Sequence, residues 1–128
     1  MQEEKEKLGT DFLGRPLKDF SNKDWWGIPR KEIDWFPRID YERCVGCGLC
    51  IVTCAGRLVY EWDPVKDKPV VARPYNCMVG CDTCAKLCPM DAIYFPPLGY
   101  VRKLRDKARA VAKARSIIKA RLREAKDM

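Results

Sequence analysis

The chain contains no histidine, and its only side-chain amides are Gln2, Asn22 and Asn76. The first absence removes the commonest general base from any catalytic scheme, and no evident nucleophile is set beside another base. Scarce amides beside abundant charge resemble thermophile usage. No G-x-G-x-x-G or Walker sequence is present, so no phosphate-cradling loop is expected. No stretch approaches eighteen consecutive apolar residues, and the opening MQEEKEKLGT has no apolar run. The sequence therefore predicts neither a membrane span nor an export signal, and the chain is expected to be cytoplasmic.

What the chain does have is sulfur in two places. All eight cysteines lie in CVGCGLCIVTC, residues 44 to 54, and CMVGCDTCAKLC, residues 77 to 88. Cytosolic thiols are kept reduced, so clustered cysteines read as metal ligands before they read as disulfides. A length of 128 residues suits one domain with extensions. Charge divides it further. Residues 101 to 128 carry eleven Lys or Arg against Asp106, Glu124 and Asp127, a balance of +8, while residues 1 to 100 sum to −1. Three parts result: an N-terminal arm (1–37), a cysteine-bearing centre (38–98) and a basic C-terminal segment (99–128).

The centre repeats itself. Each cysteine run follows an extended segment and precedes a short β-prone stretch, LVYEW or AIYF, so two similar halves are expected to pack about a pseudo-twofold axis. Between them DPVKDKP predicts a turn from a strand ending near Trp62 to one beginning near Val70. The expected class is α+β. A unit of about sixty residues buries too little apolar surface to be secure alone, and metal would staple it.

Structural zinc favours C-x2-C pairs separated by roughly fifteen to twenty residues. Here each run holds a tight triplet and a fourth cysteine three residues on. Three close thiolates can wrap one face of an iron–sulfur cube while the fourth ligand comes from elsewhere. The C-x3-C-x2-C of the second run also looks like the triplet of radical S-adenosylmethionine enzymes. Those use a barrel larger than this whole chain, and here Cys54 is free to fill the fourth position.

Cys44-Val-Gly-Cys47-Gly-Leu-Cys50-Ile-Val-Thr-Cys54, with Cys84-Ala-Lys-Leu-Cys88-Pro89, resembles the bacterial-type dicluster ferredoxins over roughly residues 38 to 97. The resemblance implies a ferredoxin-like fold with two 4Fe-4S clusters and crossed ligation. Cys44, Cys47, Cys50 and Cys88 would bind one cluster, and Cys77, Cys81, Cys84 and Cys54 the other. Two departures stand out. Ala55 replaces the proline that often follows the fourth cysteine, which should loosen one turn. Three residues, Met78-Val79-Gly80, separate Cys77 from Cys81 where two are usual. Gly80 lets the longer loop take a positive φ, so Cys77 is kept as a ligand.

With every iron ligated by cysteine there is no vacancy for substrate, and the expected function is low-potential one-electron transfer rather than catalysis. Redox partner proteins follow from that role. The alternatives are a tightly bound electron-transfer subunit of a larger oxidoreductase and a cluster-stabilised interaction or nucleic-acid-binding module. Arg43, Arg57 and Lys86 lie beside ligands, opposed by Asp82 and Asp91. Val45, Leu49, Ile51, Val52, Val79, Leu87 and Ile93 are expected to form a dry shell, and Gly46 and Gly48 to admit backbone close to sulfide. Tyr41, Tyr60 and Tyr94 read as packing before they read as an electron path. Two oxidised clusters would add about −4, bringing residues 1 to 100 to roughly −5 against the basic tail.

Residues 99 to 128 lack proline and hold only one glycine, at their start, and predict a long basic helix. Val101, Leu104, Ala108, Val111, Ile118, Leu122 and Ala125 form a narrow apolar seam interrupted by Arg115. That seam would pack on the arm, project into solvent, dock on a partner or meet an anionic surface. The arm, rich in Pro, Gly and aromatics, predicts irregular structure draped over the centre, with Trp25, Trp26, Trp35 and Phe36 covering the core or forming an interface.

Overall fold

Trp26 and Gly27 both take positive φ, 53° and 88°, and turn the arm sharply between β1 (Asp24–Trp25) and β2 (Ile28–Pro29) in a computed structural model that describes residues 9–127. A short 3-10 turn, Arg30–Glu32, then leads into the centre. There the elements follow one another in two successive runs. The first runs β3 (Arg38–Ile39), cysteine loop, α1 (Leu49–Thr53) and β4 (Tyr60–Asp63). The second runs β5 (Lys68–Val71), a 3-10 turn at Pro74–Asn76, cysteine loop, α2 (Thr83–Leu87) and β6 (Ile93–Tyr94). Among the described residues the sheets are three antiparallel pairs, β1 with β2, β3 with β6 and β4 with β5. The architecture is mixed α and β.

The turn expected over DPVKDKP closes the β4–β5 hairpin, with Asp63 opposite Lys68 and Tyr60 opposite Val71. Its start is set by the Asp63 carboxylate, which accepts the backbone N–H groups of Val65 at 3.0 Å and Lys66 at 3.3 Å. The core lies between the helices and this hairpin. Ile51, Val59, Tyr60 and Ile93 come from the repeat, Leu104 from the C-terminal segment, and Ile33 and Trp35 from the arm. Trp35 stacks on Phe95 with ring centroids 5.0 Å apart. The arm is therefore part of the core at Trp35. Trp25 and Phe36 are half-covered, and Trp26 is 37% exposed.

The arm is held by polar contacts as well. Asn76, buried, accepts the Phe20 N–H at 3.0 Å and donates to the carbonyls of Lys18 at 2.9 Å and Arg57 at 3.3 Å. One of the chain's three amides is thus spent clipping residues 18–20 to the turn before the second cysteine run. Nearer the start, the buried Asp11 carboxylate receives Arg15 Nε at 2.7 Å and the Arg15 and Leu13 N–H groups at 2.8 and 3.1 Å. The same guanidinium reaches the carbonyl of Ile51 on α1 at 3.3 Å.

The C-terminal segment departs from a single helix. It forms α3 (Leu98–Lys107) and α4 (Ala110–Asp127), broken at Arg109, whose φ is 54°. A left-handed residue without glycine costs roughly 1–2 kcal/mol. Tertiary packing supplies the reason: Leu104, Ala108 and Ala110 are all buried, and the Ala108 N–H still bonds the Leu104 carbonyl at 2.9 Å. The Tyr100 hydroxyl accepts the Asp34 N–H at 2.8 Å, and Lys113 Nζ donates to the Trp26 carbonyl at 2.7 Å. The predicted seam thus divides. Leu104 and Ala108 pack inward with Val101 half-covered, while Val111, Ile118 and Leu122 are exposed. No described helix is long and apolar enough to cross a membrane.

Burial raises the pKa of Asp11, but the bonds from Arg15 and Leu13 outweigh it and hold the carboxyl below its ordinary value of 3.8. A depressed carboxyl contributes stability above its unfolded pKa, and that contribution disappears as pH falls through the lower folded value. Asp11→Asn should weaken attachment of residues 9–17 by about 1–2 kcal/mol at neutral pH. Amide exchange of this segment should then lose the wild-type acceleration below about pH 4.

Candidate metal centres

The eight thiols divide between two cavities. Cys44, Cys47, Cys50 and Cys88 line the first, and Cys54, Cys77, Cys81 and Cys84 line the second. In each set three sulfurs come from one run and the fourth from the other. Local structure explains the division. Cys50 sits in the first turn of α1 and Cys54 just past its end, so a helix of one and a half turns separates them by about 6 Å along its axis. Cys84 and Cys88 bracket α2 in the same way. Each short helix thus carries one thiol to its own cavity and one to its neighbour's.

The longer second loop behaves as its glycine predicts. Gly80 has φ 91°, the Cys81 N–H closes a turn on the Met78 carbonyl at 3.0 Å, and Cys77 is buried on the same cavity as Cys81 and Cys84. Gly46 and Gly48 also take positive φ, 74° and 79°. Gly46 has a further constraint, from the hairpin. A Cβ on Gly46 would lie 2.6 Å from the carbonyl oxygen of Asp67 at the hairpin tip, whereas one on Gly48 would meet no protein atom within 4 Å.

Soft thiol donors, apolar walls and the lack of any acidic side chain lining either cavity fit an iron–sulfur group. Among the described residues no three Cys, Asp or Glu side chains converge on one point as a single ion requires. Burial pushes the Cys50 and Cys77 thiols up to about 12, and it raises Cys84 against the bond from Tyr60. Thiolates in these positions need metal charge beside them, so metal binding releases protons. Tyr60 Oη donates to Cys84 Sγ at 3.2 Å and the Ala92 N–H to Cys88 Sγ at 3.3 Å, and Thr83 Oγ1 lies 3.8 Å from Cys81 Sγ. Burial and the Cys84 bond hold the Tyr60 phenol far above its ordinary pKa, so it remains a donor.

The expected dry shell is only partly formed. Ile51 and Ile93 are buried and Val79 is half-covered, but Val45, Leu49, Val52 and Leu87 are exposed. A five-residue helix with one face on the cavities must turn the other outward. Val45 and Leu49 still border the first cavity. Of the three tyrosines, Tyr60 is core, while Tyr41 and Tyr94 are exposed. Arg43 approaches Asp40 at 3.7 Å and Asp91 at 4.0 Å, Lys86 pairs with Asp82 at 3.1 Å, and Arg57 lies over the Phe20 ring at 3.9 Å.

Two cations near the sites had no local signal. Lys68 Nζ donates to the carbonyl of Cys44, the first cysteine of its run. Arg30, 5% exposed, does the corresponding thing at Cys77, whose carbonyl accepts Nε at 3.2 Å and Nη2 at 2.9 Å. It also donates to the carbonyls of Ile33 at 2.9 Å, of Pro74 at 3.4 Å and of Trp35. Burial lowers its pKa, yet a guanidinium stays charged in proteins. Forty-seven residues separate Arg30 from Cys77, and only the folding of the arm joins them.

Residues 43–92 match the model of the 4Fe-4S dicluster domain. An uncharacterized ferredoxin of Methanocaldococcus jannaschii is 46% identical over 72 residues, covering 56% of this chain and 47% of that protein, so the chain spans about half the length of that relative. Ferredoxin-3 of Nostoc sp. is 36% identical over 83 residues, covering 50% of this chain and 84% of the relative. Subunit IorA of the indolepyruvate oxidoreductase of Pyrococcus abyssi is 40% identical over 55 residues, 43% of this chain and 8% of that subunit.

The contrast between the two glycines gives a direct test of the first loop. Gly46→Ala should cost about 2–4 kcal/mol, from a left-handed side chain combined with collision on the Asp67 backbone. Gly48→Ala should cost only about 1 kcal/mol. Anaerobic thermal unfolding should then show a fall in midpoint several times larger for Gly46→Ala.

Proposed function

The chain belongs to the 4Fe-4S dicluster ferredoxin family and binds two 4Fe-4S clusters, and from that premise we propose that it is a one-electron carrier between oxidoreductases. Cys44, Cys47, Cys50 and Cys88 hold one cluster, and Cys77, Cys81, Cys84 and Cys54 the other. The observation that carries this reading is the four-and-four division of thiols between two cavities, each drawing its last member from the opposite run. When bound, each cluster takes up and gives back one electron without bonds being made or broken.

The residues around the thiols have three tasks. Ile51, Ile93, Val59 and Tyr60 keep water from the inner faces. Cys47 and Cys81 are exposed, so each site presents one ligand where a partner can come close. Tyr60 and Ala92 donate to sulfur and thereby offset the negative charge that reduction adds. The repeated order of strand, loop, helix and strand supports a pseudo-twofold relation between the halves of residues 38–98. Ile33 and Trp35 of the arm and Leu104 of α3 complete the core of that unit, and α4 remains for docking.

Partner docking through α4 is supported by its surface. Val111, Ile117, Ile118 and Leu122 are exposed beside a basic sequence, in which residues 115 to 128 hold five Lys or Arg against Glu124 and Asp127. The same apolar residues favour a second reading, a tightly bound electron-transfer subunit, for which the likeness to an oxidoreductase subunit is also support.

Crossed ligation predicts a specific pattern of loss. The purified protein should contain about eight iron and eight sulfide per chain, and Cys44→Ala about four. Adding Cys88→Ala to Cys44→Ala removes a second ligand from the same site and should leave iron at about four. Adding Cys54→Ala instead strikes the other site and should take it towards zero. Iron analysis with EPR of the reduced protein checks this, and the reverse pattern for the two double variants would mean that each run serves its own cluster. Because Leu104, Ala108, Ala110 and Lys113 make contacts, removal of 115–128 is the deletion that isolates the tail. That deletion should leave spectra intact while slowing electron delivery to a partner. Loss of salt-sensitive nucleic-acid retention alone would favour a binding module instead.

A further inference from the structure

We infer that Arg30 makes the site of Cys54, Cys77, Cys81 and Cys84 the more easily reduced of the two, so that an electron held by the protein resides mainly there. The inference rests on the ligand sets proposed above and concerns their inequality.

Polar hydrogens reach sulfur at both sites, from Ala92 at Cys88 and from Tyr60 at Cys84, with the Thr83 hydroxyl at a longer 3.8 Å from Cys81 Sγ. The short bonds are matched, and the long Thr83 contact adds only weakly to the second site. Charge separates them. All of Arg30's described bonds go to backbone carbonyls, and among the described residues it forms no ion pair with a carboxylate. Carbonyls satisfy the donors but leave the full positive charge in place. Buried guanidinium groups ordinarily carry an acidic partner because removing the charge from water is costly. Here the added negative charge of reduction, next to Cys77, is the partner.

Arg57, which also lines the second cavity, adds a cation on the same side. At the first cavity no charged side chain lines the wall. Its counterpart to Arg30 is Lys68, which bonds the Cys44 carbonyl but is only half-covered, on a hairpin where Asp63 is its cross-strand neighbour. Arg43, outside that cavity, is engaged with Asp40 and Asp91. A buried, unpaired cation is screened far less than an exposed, paired one, and a cation favours the reduced state.

The single-site proteins read the inequality directly. Cys77→Ala leaves the first site and Cys44→Ala leaves the second, so the midpoint potential of the Cys44→Ala protein should be the higher in EPR-monitored titration. Arg30→Met in the Cys44→Ala background should lower that midpoint by a tenfold change in the reduction equilibrium, 59 mV for one electron. Arg30→Lys should restore most of it, and Arg30→Met in the Cys77→Ala background should change little. A merely structural role would disturb the Met and Lys variants alike and would overturn the inference. So would a lower midpoint for the second site, a comparison that stands even if Arg30→Met fails to assemble. Should Cys77→Ala retain about eight iron, the ligand premise has failed, and the inference is overturned there and not at Arg30.

Discussion

Thiol sulfur cannot be buried as thiolate without positive charge nearby, and three of the eight cysteines, Cys50, Cys77 and Cys84, are buried in this protein. Cys50, Cys77 and Cys84 belong to the hydrophobic core as fully as Ile51 or Val59 do, and burial alone raises all three thiols. Metal supplies the missing charge. With two two-stranded sheets and two five-residue helices, the centre has little regular structure to hold it otherwise. In a unit of this kind metal binding contributes directly to folding.

The extensions complete what the centre lacks. Ile33 and Trp35 from the arm and Leu104 from α3 enter the same core as the cysteines. Asn76 and Arg30 then tie the arm to the turn that precedes Cys77, through carbonyls and amides that would otherwise lie unpaired. The arm thus touches function: a residue outside the repeat sets the charge beside one site.

Much of the centre was legible in the chain. The spacing of cysteines, the turn at DPVKDKP, the strands at LVYEW and AIYF and the positive φ at Gly80 all depend on neighbours within a few residues, where local chemistry decides. Legibility failed over distance. Nothing local to Gly46 announced the Asp67 carbonyl that also excludes a side chain there. Val52 and Leu87 looked like shell, but one-turn helices cannot turn every apolar residue inward. The tail looked like one helix, since nothing in its propensities marks Arg109 as a break.

By itself the sequence determined the metal chemistry and the count of clusters, because ligand identity and spacing are properties of the covalent chain. Only the tertiary structure decided which thiols share a cavity, which face of the tail is covered, and that Arg30 is buried at Cys77 without an acid. Those outcomes depend on segments forty or more residues apart meeting in space. Their contact energies are set by packing and desolvation and leave no periodic trace in the chain.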